Sequence, residues 1–138
     1  MNVSDNEIKD LLESYKQYVV YGLSPSLEKP SHYVPVYMRD HGWDMVGVYP
    51  KIHDQNAFKI YKSLSEVPLE YRKFINVFRA SERIPDLVDE LIELGGVEVM
   101  WLQLGIEHEE AEKNAESHGM RVVSNRCLII EHRRFFNQ

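Results

Sequence analysis

Apolar and polar residues recur along this chain with two different periods, and the switches between them mark out its elements. Ile8, Leu11, Leu12 and Tyr15 are spaced three or four apart, as on one face of an α-helix. Ser4-Asp5-Asn6-Glu7 overlaps their start, a capping-box sequence in which serine and glutamate satisfy each other's free amides. These residues predict a helix over 5–16, packed on the outside of the domain. Gln17 to Gly22 is a short β-branched and aromatic run stopped by glycine, the mark of a buried strand. A loop rich in serine and proline, Leu23 to Pro30, leads to Ser31. From there Tyr33, Val34, Tyr37 and Met38 mark a second helical face that stops at Gly42.

Trp43 to Tyr49 reads as a second strand, ended by Pro50, and Phe58 to Tyr61 as a short extended piece. Phe74 to Phe78 is a third buried strand. Ile84, Leu87, Val88, Leu91 and Ile92 form a helical face with Pro85 in the first turn and Gly95-Gly96 at the end. Val97 to Leu102 is a fourth strand, Glu107 to His118 a helix with a small-residue face (Ala111, Ala115), and Arg121 to Ser124 a fifth strand. A basic-aromatic tail, Ile129 to Phe136, follows. Short buried strands separated by amphipathic helices imply parallel pairing with right-handed crossovers. The expected architecture is a single α/β domain over residues 1–138, a Rossmann-like three-layer αβα sandwich. Its sheet has five mainly parallel strands, in the order 3-2-1-4-5.

Composition narrows the function. The 138 residues suit one domain, since domains run to roughly 100–200 residues. Sixteen Lys and Arg against 22 Asp and Glu give a net charge of −6. An acidic chain is a poor non-specific partner for nucleic acid or an anionic membrane surface. No apolar run approaches the ~18 residues of a spanning helix, and the polar, acidic N-terminus does not read as a signal peptide. One cysteine, Cys127, precludes an internal disulfide and fits a reducing cytoplasm. The histidines are scattered, none at metal-site spacing.

In such a sheet, ligands bind beyond the carboxyl ends of the strands, where the winding reverses. The sequence places Gly22, Tyr49-Pro50-Lys51, Phe78-Arg79 and Gln103 there. The first turn, Gly22 to Ser31, is no GxGxxG fingerprint, but Gly22 admits a close backbone approach and Ser24 and Ser31 carry hydroxyls. A helix opening at Ser31 either offers free amides and its positive dipole end to an anion or is plainly capped by serine. A dinucleotide site with NAD places an acidic residue about 20 residues past the glycine loop. Lys51 stands there instead, which suits a phosphorylated ribose, as in NADP or coenzyme A; alternatively it is one solvated surface lysine. Arg79 can grip a phosphate with two prongs or pair with Glu82. Trp101 reads as core. Cys127 is either a thiol activated by Arg126 or simply buried. Glu131-His132 reads as a surface pair. No catalytic motif emerges: there is no GxSxG elbow, P-loop or carboxylate pair.

Several separated motifs resemble those of the small stand-alone coenzyme A-binding domain proteins. These are Gly22-Leu23-Ser24 with Lys29-Pro30-Ser31, then Val48-Tyr49-Pro50, Val77-Phe78-Arg79, Trp101 to Ile106, and Arg126-Cys127 with Ile130-Glu131-His132. The fold of these proteins is shared with the N-terminal domain of the succinyl-CoA synthetase alpha subunit. The resemblance implies a coenzyme A site. In it, Gly22, Ser24, Pro25, Ser31 and Val34 meet the pyrophosphate, Pro50 and Lys51 lie by the adenosine and its 3′-phosphate, and Phe78 and Arg79 flank the cofactor. Two positions depart from the pattern. Tyr49 stands where asparagine is usual, and Lys29 where arginine is usual, which keeps the charge but loses the fork. The synthetase's phosphorylated-histidine domain has no room in 138 residues, so ligase activity is not expected. The expectation is a non-catalytic module for coenzyme A or an acyl-CoA, with a second copy of the chain as a candidate partner. The alternatives are an NADP-type enzyme and an interaction scaffold with an empty cleft.

Overall fold

The computed structural model describes residues 3–136. Helix α1 (Asp5–Ser14) carries the expected capping box: the Ser4 hydroxyl accepts from the Glu7 amide at 3.2 Å, and the Glu7 carboxylate accepts from the Ser4 amide at 3.3 Å. The strands are β1 (Gln17–Tyr21), β2 (Asp44–Val48), β3 (Ile60–Tyr61), β4 (Phe74–Val77), β5 (Val99–Leu102) and β6 (Arg121–Val123). The remaining helices are α2 (Pro30–Asp40), α3 (Leu69–Arg72), α4 (Ile84–Leu94), α5 (Glu109–Ser117) and α6 (Leu128–Phe135).

All strand pairs are parallel, in the order β3-β2-β1-β4-β5-β6. The Rossmann-like fold is therefore as expected, but the sheet has six strands rather than five. The extra strand is Ile60–Tyr61, which pairs with Gly47 and Val48. It takes third place in the numbering, so Phe74–Val77 becomes β4 and lies between β1 and β5. The extra strand lies within the extended piece read over Phe58 to Tyr61, and its two residues of ladder are too few to reveal a sheet partner.

Side-chain alternation along the strands feeds two cores, one on each face of the sheet. Val19, Ile75, Val77, Met100 and Leu102 point to the face covered by α4 and α5, whose Ile84, Leu87, Val88, Leu91, Ala111 and Ala115 are buried. Tyr18, Val20, Phe74, Val99 and Trp101 point to the other face, against α1, α2 and α6. Ile8, Leu11 and Leu12 are sealed into this second core. Phe74 and Trp101 stack there at 6.0 Å, and the Trp101 indole N–H donates to the Arg126 carbonyl at 2.8 Å.

The tail is the largest local correction. It is helix α6, an amphipathic element that buries Leu128, Glu131 and His132. Glu131-His132 is consequently no surface pair. The Arg126 and Arg134 guanidiniums hold the Glu131 carboxylate, and the Tyr37 hydroxyl meets His132 Nδ1 at 3.0 Å. The start of α2 also differs. Lys29 occupies the cap position without a side-chain cap bond, Pro30 is the first helical residue, and Ser31 already lies inside the first turn. Proline suits that place because its missing N–H is one the helix would leave free.

Candidate functional site

The carboxyl ends of β1, β4 and β5 open toward the amino ends of α2 and α6. Between them lies a cleft of about 420 Å³. Lys29, Pro30, Ser31 and Tyr33 form one wall, and Phe78, Arg79 and Ala80 the facing one. Buried Gln103, exposed Leu104 and half-buried Ile106 complete the lining, and Cys127 stands at the start of α6.

Gly22 positions the second wall. Its φ of +99° lets the chain turn sharply, and a Cβ there would lie 2.7 Å from the Phe78 carbonyl. The Gly22 and Leu23 amides both donate to the Val48 carbonyl, at 2.8 and 3.1 Å, and the Phe78 amide donates to Tyr21 at 3.0 Å. The turn thus ties the ends of β1, β2 and β4 together. Arg79 is exposed, its guanidinium 5.6 Å from the Tyr21 ring centre. Burial pushes the Tyr21 hydroxyl above its ordinary range, and the nearby Arg79 charge opposes that shift.

The loops after β1 and β2 are laced by histidines, a role their scatter in sequence concealed. His32 Nδ1 donates to the Ser24 carbonyl at 2.7 Å, while its Nε2 meets the Asn56 side-chain amide at 2.6 Å. His53 Nε2 donates to the Leu23 carbonyl at 2.9 Å. A carbonyl can only accept, so each bond fixes which ring nitrogen carries hydrogen.

Of the expected contact residues, the structure gathers Ser31, Phe78 and Arg79 on the cleft, with Gly22 directly behind Phe78. Val34 is fully buried in the core, so its side chain packs rather than meeting a ligand. Ser24 is 4% exposed and its hydroxyl accepts from the Ser26 amide at 3.1 Å, shaping the loop from inside. Pro25 is half-buried in that loop. Pro50 and Lys51 are exposed in the neighbouring loop after β2, outside the cleft's lining; Lys51 has no polar partner among the described residues. Tyr33, Leu104 and Ile106 join the lining without having been named as contacts, although Leu104 and Ile106 fall within the Trp101 to Ile106 motif. Their signal in the sequence is faint, because exposed apolar residues are common on any surface.

A larger hollow of about 890 Å³ adjoins α5 and α6. Its lining is rich in carboxylates (Glu107, Glu109, Glu112, Glu116, Glu131), with Lys113 and Arg126 as counter-charges. That sign is wrong for a phosphorylated ligand. Among the described residues, no group of His, Cys, Asp and Glu is placed to hold a metal ion, and no helix is long and apolar enough to cross a membrane.

Comparison with known proteins adds an independent line. The chain is 34% identical to the uncharacterized protein YneT of Bacillus subtilis over 133 residues, covering 95% of this chain and 96% of that one. A solved structure from Thermus thermophilus is 32% identical and superposes with a TM-score of 0.85, covering 97% of this chain and all of the other. A hypothetical protein from Pyrococcus horikoshii OT3 is 30% identical, with a TM-score of 0.88 over 97% of this chain and 93% of its own. The model of the CoA binding domain matches residues 16–133, from just before β1 to within α6. On that match, the chain belongs to the CoA-binding domain family.

Proposed function

We propose that the protein binds coenzyme A, free or acylated, at the carboxyl ends of its parallel strands, and that it acts as a binding or regulatory module without chemistry of its own. The observation that carries this reading is the cleft at the start of α2. There Lys29, Arg79 and the positive end of a helix dipole converge in a chain whose net charge is −6. The Ser31 amide has no acceptor among the described residues, and free amides at a helix start suit a pyrophosphate. Membership of the CoA-binding domain family supports coenzyme A over other phosphorylated ligands.

In this reading, Ser31 at the start of α2 lies along the pyrophosphate, the Gly22 to Pro25 loop supports the wall from behind Phe78, Phe78 and Arg79 flank the cofactor, and the arm runs over Leu104 and Ile106. Pro50 and Lys51, on the adjoining loop, sit by the adenosine. Lys51 reads the 3′-phosphate, a role that its free and exposed ammonium supports.

Calorimetric titration with coenzyme A and dephospho-coenzyme A tests the proposal. The dephospho form is expected to bind more weakly, and Lys51→Ala to abolish the difference. Equal binding of both forms by the intact protein would remove Lys51 from the site. Absence of binding by either would remove the cofactor assignment, and binding of NADPH in its place would favour an NADP-type enzyme.

A further inference from the structure

Gln103 stands out among the cleft residues because it is 3% exposed and its amide orientation is fixed by chemistry. The Leu128 amide points at its side chain at 3.2 Å, and a backbone N–H can only donate, so the atom receiving it is Oε1. The same oxygen accepts from Asn76 Nδ2 at 3.2 Å. Asn76 is itself fully buried, and its own Oδ1 has no partner among the described residues. The backbone of Gln103 is anchored on both sides: its amide donates to Val77 at 3.2 Å and its carbonyl accepts from Ile106 at 3.0 Å. With the oxygen committed twice, the Nε2 hydrogens are left over. They have no partner among the described residues and are not sealed in, since Gln103 lines the cleft beside Leu104 and Ile106.

We infer that Gln103 is a specificity-determining residue, a pre-aimed amide donor that reads a carbonyl on the ligand's arm between apolar walls. The inference rests on the coenzyme A reading above. A carbonyl of the arm fits because it accepts a hydrogen bond without carrying charge, and Leu104 and Ile106 beside Gln103 suit the arm's apolar stretches rather than a phosphate. The arm of coenzyme A offers amide carbonyls, and an acyl-CoA adds a thioester carbonyl.

The test uses the full chain and the variant Gln103→Glu in mildly alkaline buffer, where a carboxylate is ionised. Glutamate keeps an oxygen for Leu128 and Asn76 but replaces the donor with a second acceptor. Binding of coenzyme A and acetyl-CoA is expected to weaken about tenfold or more, while adenosine 3′,5′-bisphosphate, which lacks the arm, binds as before. Equal losses for the two thiol-arm ligands assign an amide carbonyl; a larger loss for acetyl-CoA assigns the thioester. In the unmutated protein, the Gln103 side-chain NH₂ signals in NMR are expected to move with coenzyme A and stay still with the bisphosphate, a readout independent of how the variant folds. Unmoved signals, or equal weakening of all three ligands, would overturn the inference. Failure of the intact protein to bind coenzyme A at all would instead strike the cofactor reading first.

Discussion

Single residues decide how the site is held. Gly22 is required twice over, by its positive φ and by the Phe78 carbonyl at 2.7 Å from where a Cβ would sit. Gly22→Ala is expected to cost at least about 1–2 kcal/mol from backbone strain alone, and to displace Phe78 from the cleft. A denaturant midpoint lowered without a change in slope checks the first effect. His132 shows a different kind of constraint. Burial, then the neighbouring His41 and Lys16, hold its imidazole below the ordinary histidine range. The unfolded chain therefore takes up a proton at higher pH than the folded one, so this contribution is intact above about 6.5 and is lost as pH falls below it. Melting temperatures measured across that window are expected to fall less steeply for His132→Gln than for the unmutated protein. The titratable groups around it are Tyr37 on α2, His41 at that helix's carboxyl cap, Lys16 before β1 and Arg133 on its own helix, so the slope belongs to that whole cluster. The sequence alone hid this, because the Glu131-His132 dipeptide looks like any exposed polar pair until α6 is docked.

Elements were legible in proportion to the strength of their local signals. The capping box of α1 was plain, and it matters because α1 inserts Ile8, Leu11 and Leu12 into the core instead of lying loosely outside. Ser4→Ala is expected to lower stability by about 1 kcal/mol, readable by chemical denaturation. The five longer strands and the helices ending at Gly42 and Gly95 were likewise readable, since glycine and proline punctuate the backbone wherever they occur. Helix α3 was not, because a four-residue element carries no period, and β3 was readable only as the extended piece Phe58 to Tyr61, without its place in the sheet. Helix α6 was masked by its charges: Arg133 and Arg134 on its outer face gave the impression of a solvated tail.

Across the whole molecule, the two ends of the chain come together where Arg134 reaches Asp5 at 2.8 Å, joining α6 to α1. Both side chains are partly exposed, and such pairs are worth little. Asp5→Asn is therefore expected to change stability by no more than about 0.5 kcal/mol, in contrast to the capping serine one residue earlier. Addition of coenzyme A at 100 times its dissociation constant is expected to stabilise the intact fold by about 2.7 kcal/mol, a shift visible in thermal denaturation. The cleft itself is a product of this assembly. The order of the longer strands and helices along the chain and its turn glycines were contained in the sequence, because periodicity and backbone chemistry act over a few residues. Which residues share the cleft was decided only by tertiary structure. Packing sent Val34 and Ser24 inward, left Lys51 on a neighbouring loop and brought Gln103 against the amino end of α6 from 25 residues away. Contacts between distant segments depend on how whole faces fit, and no local pattern encodes them.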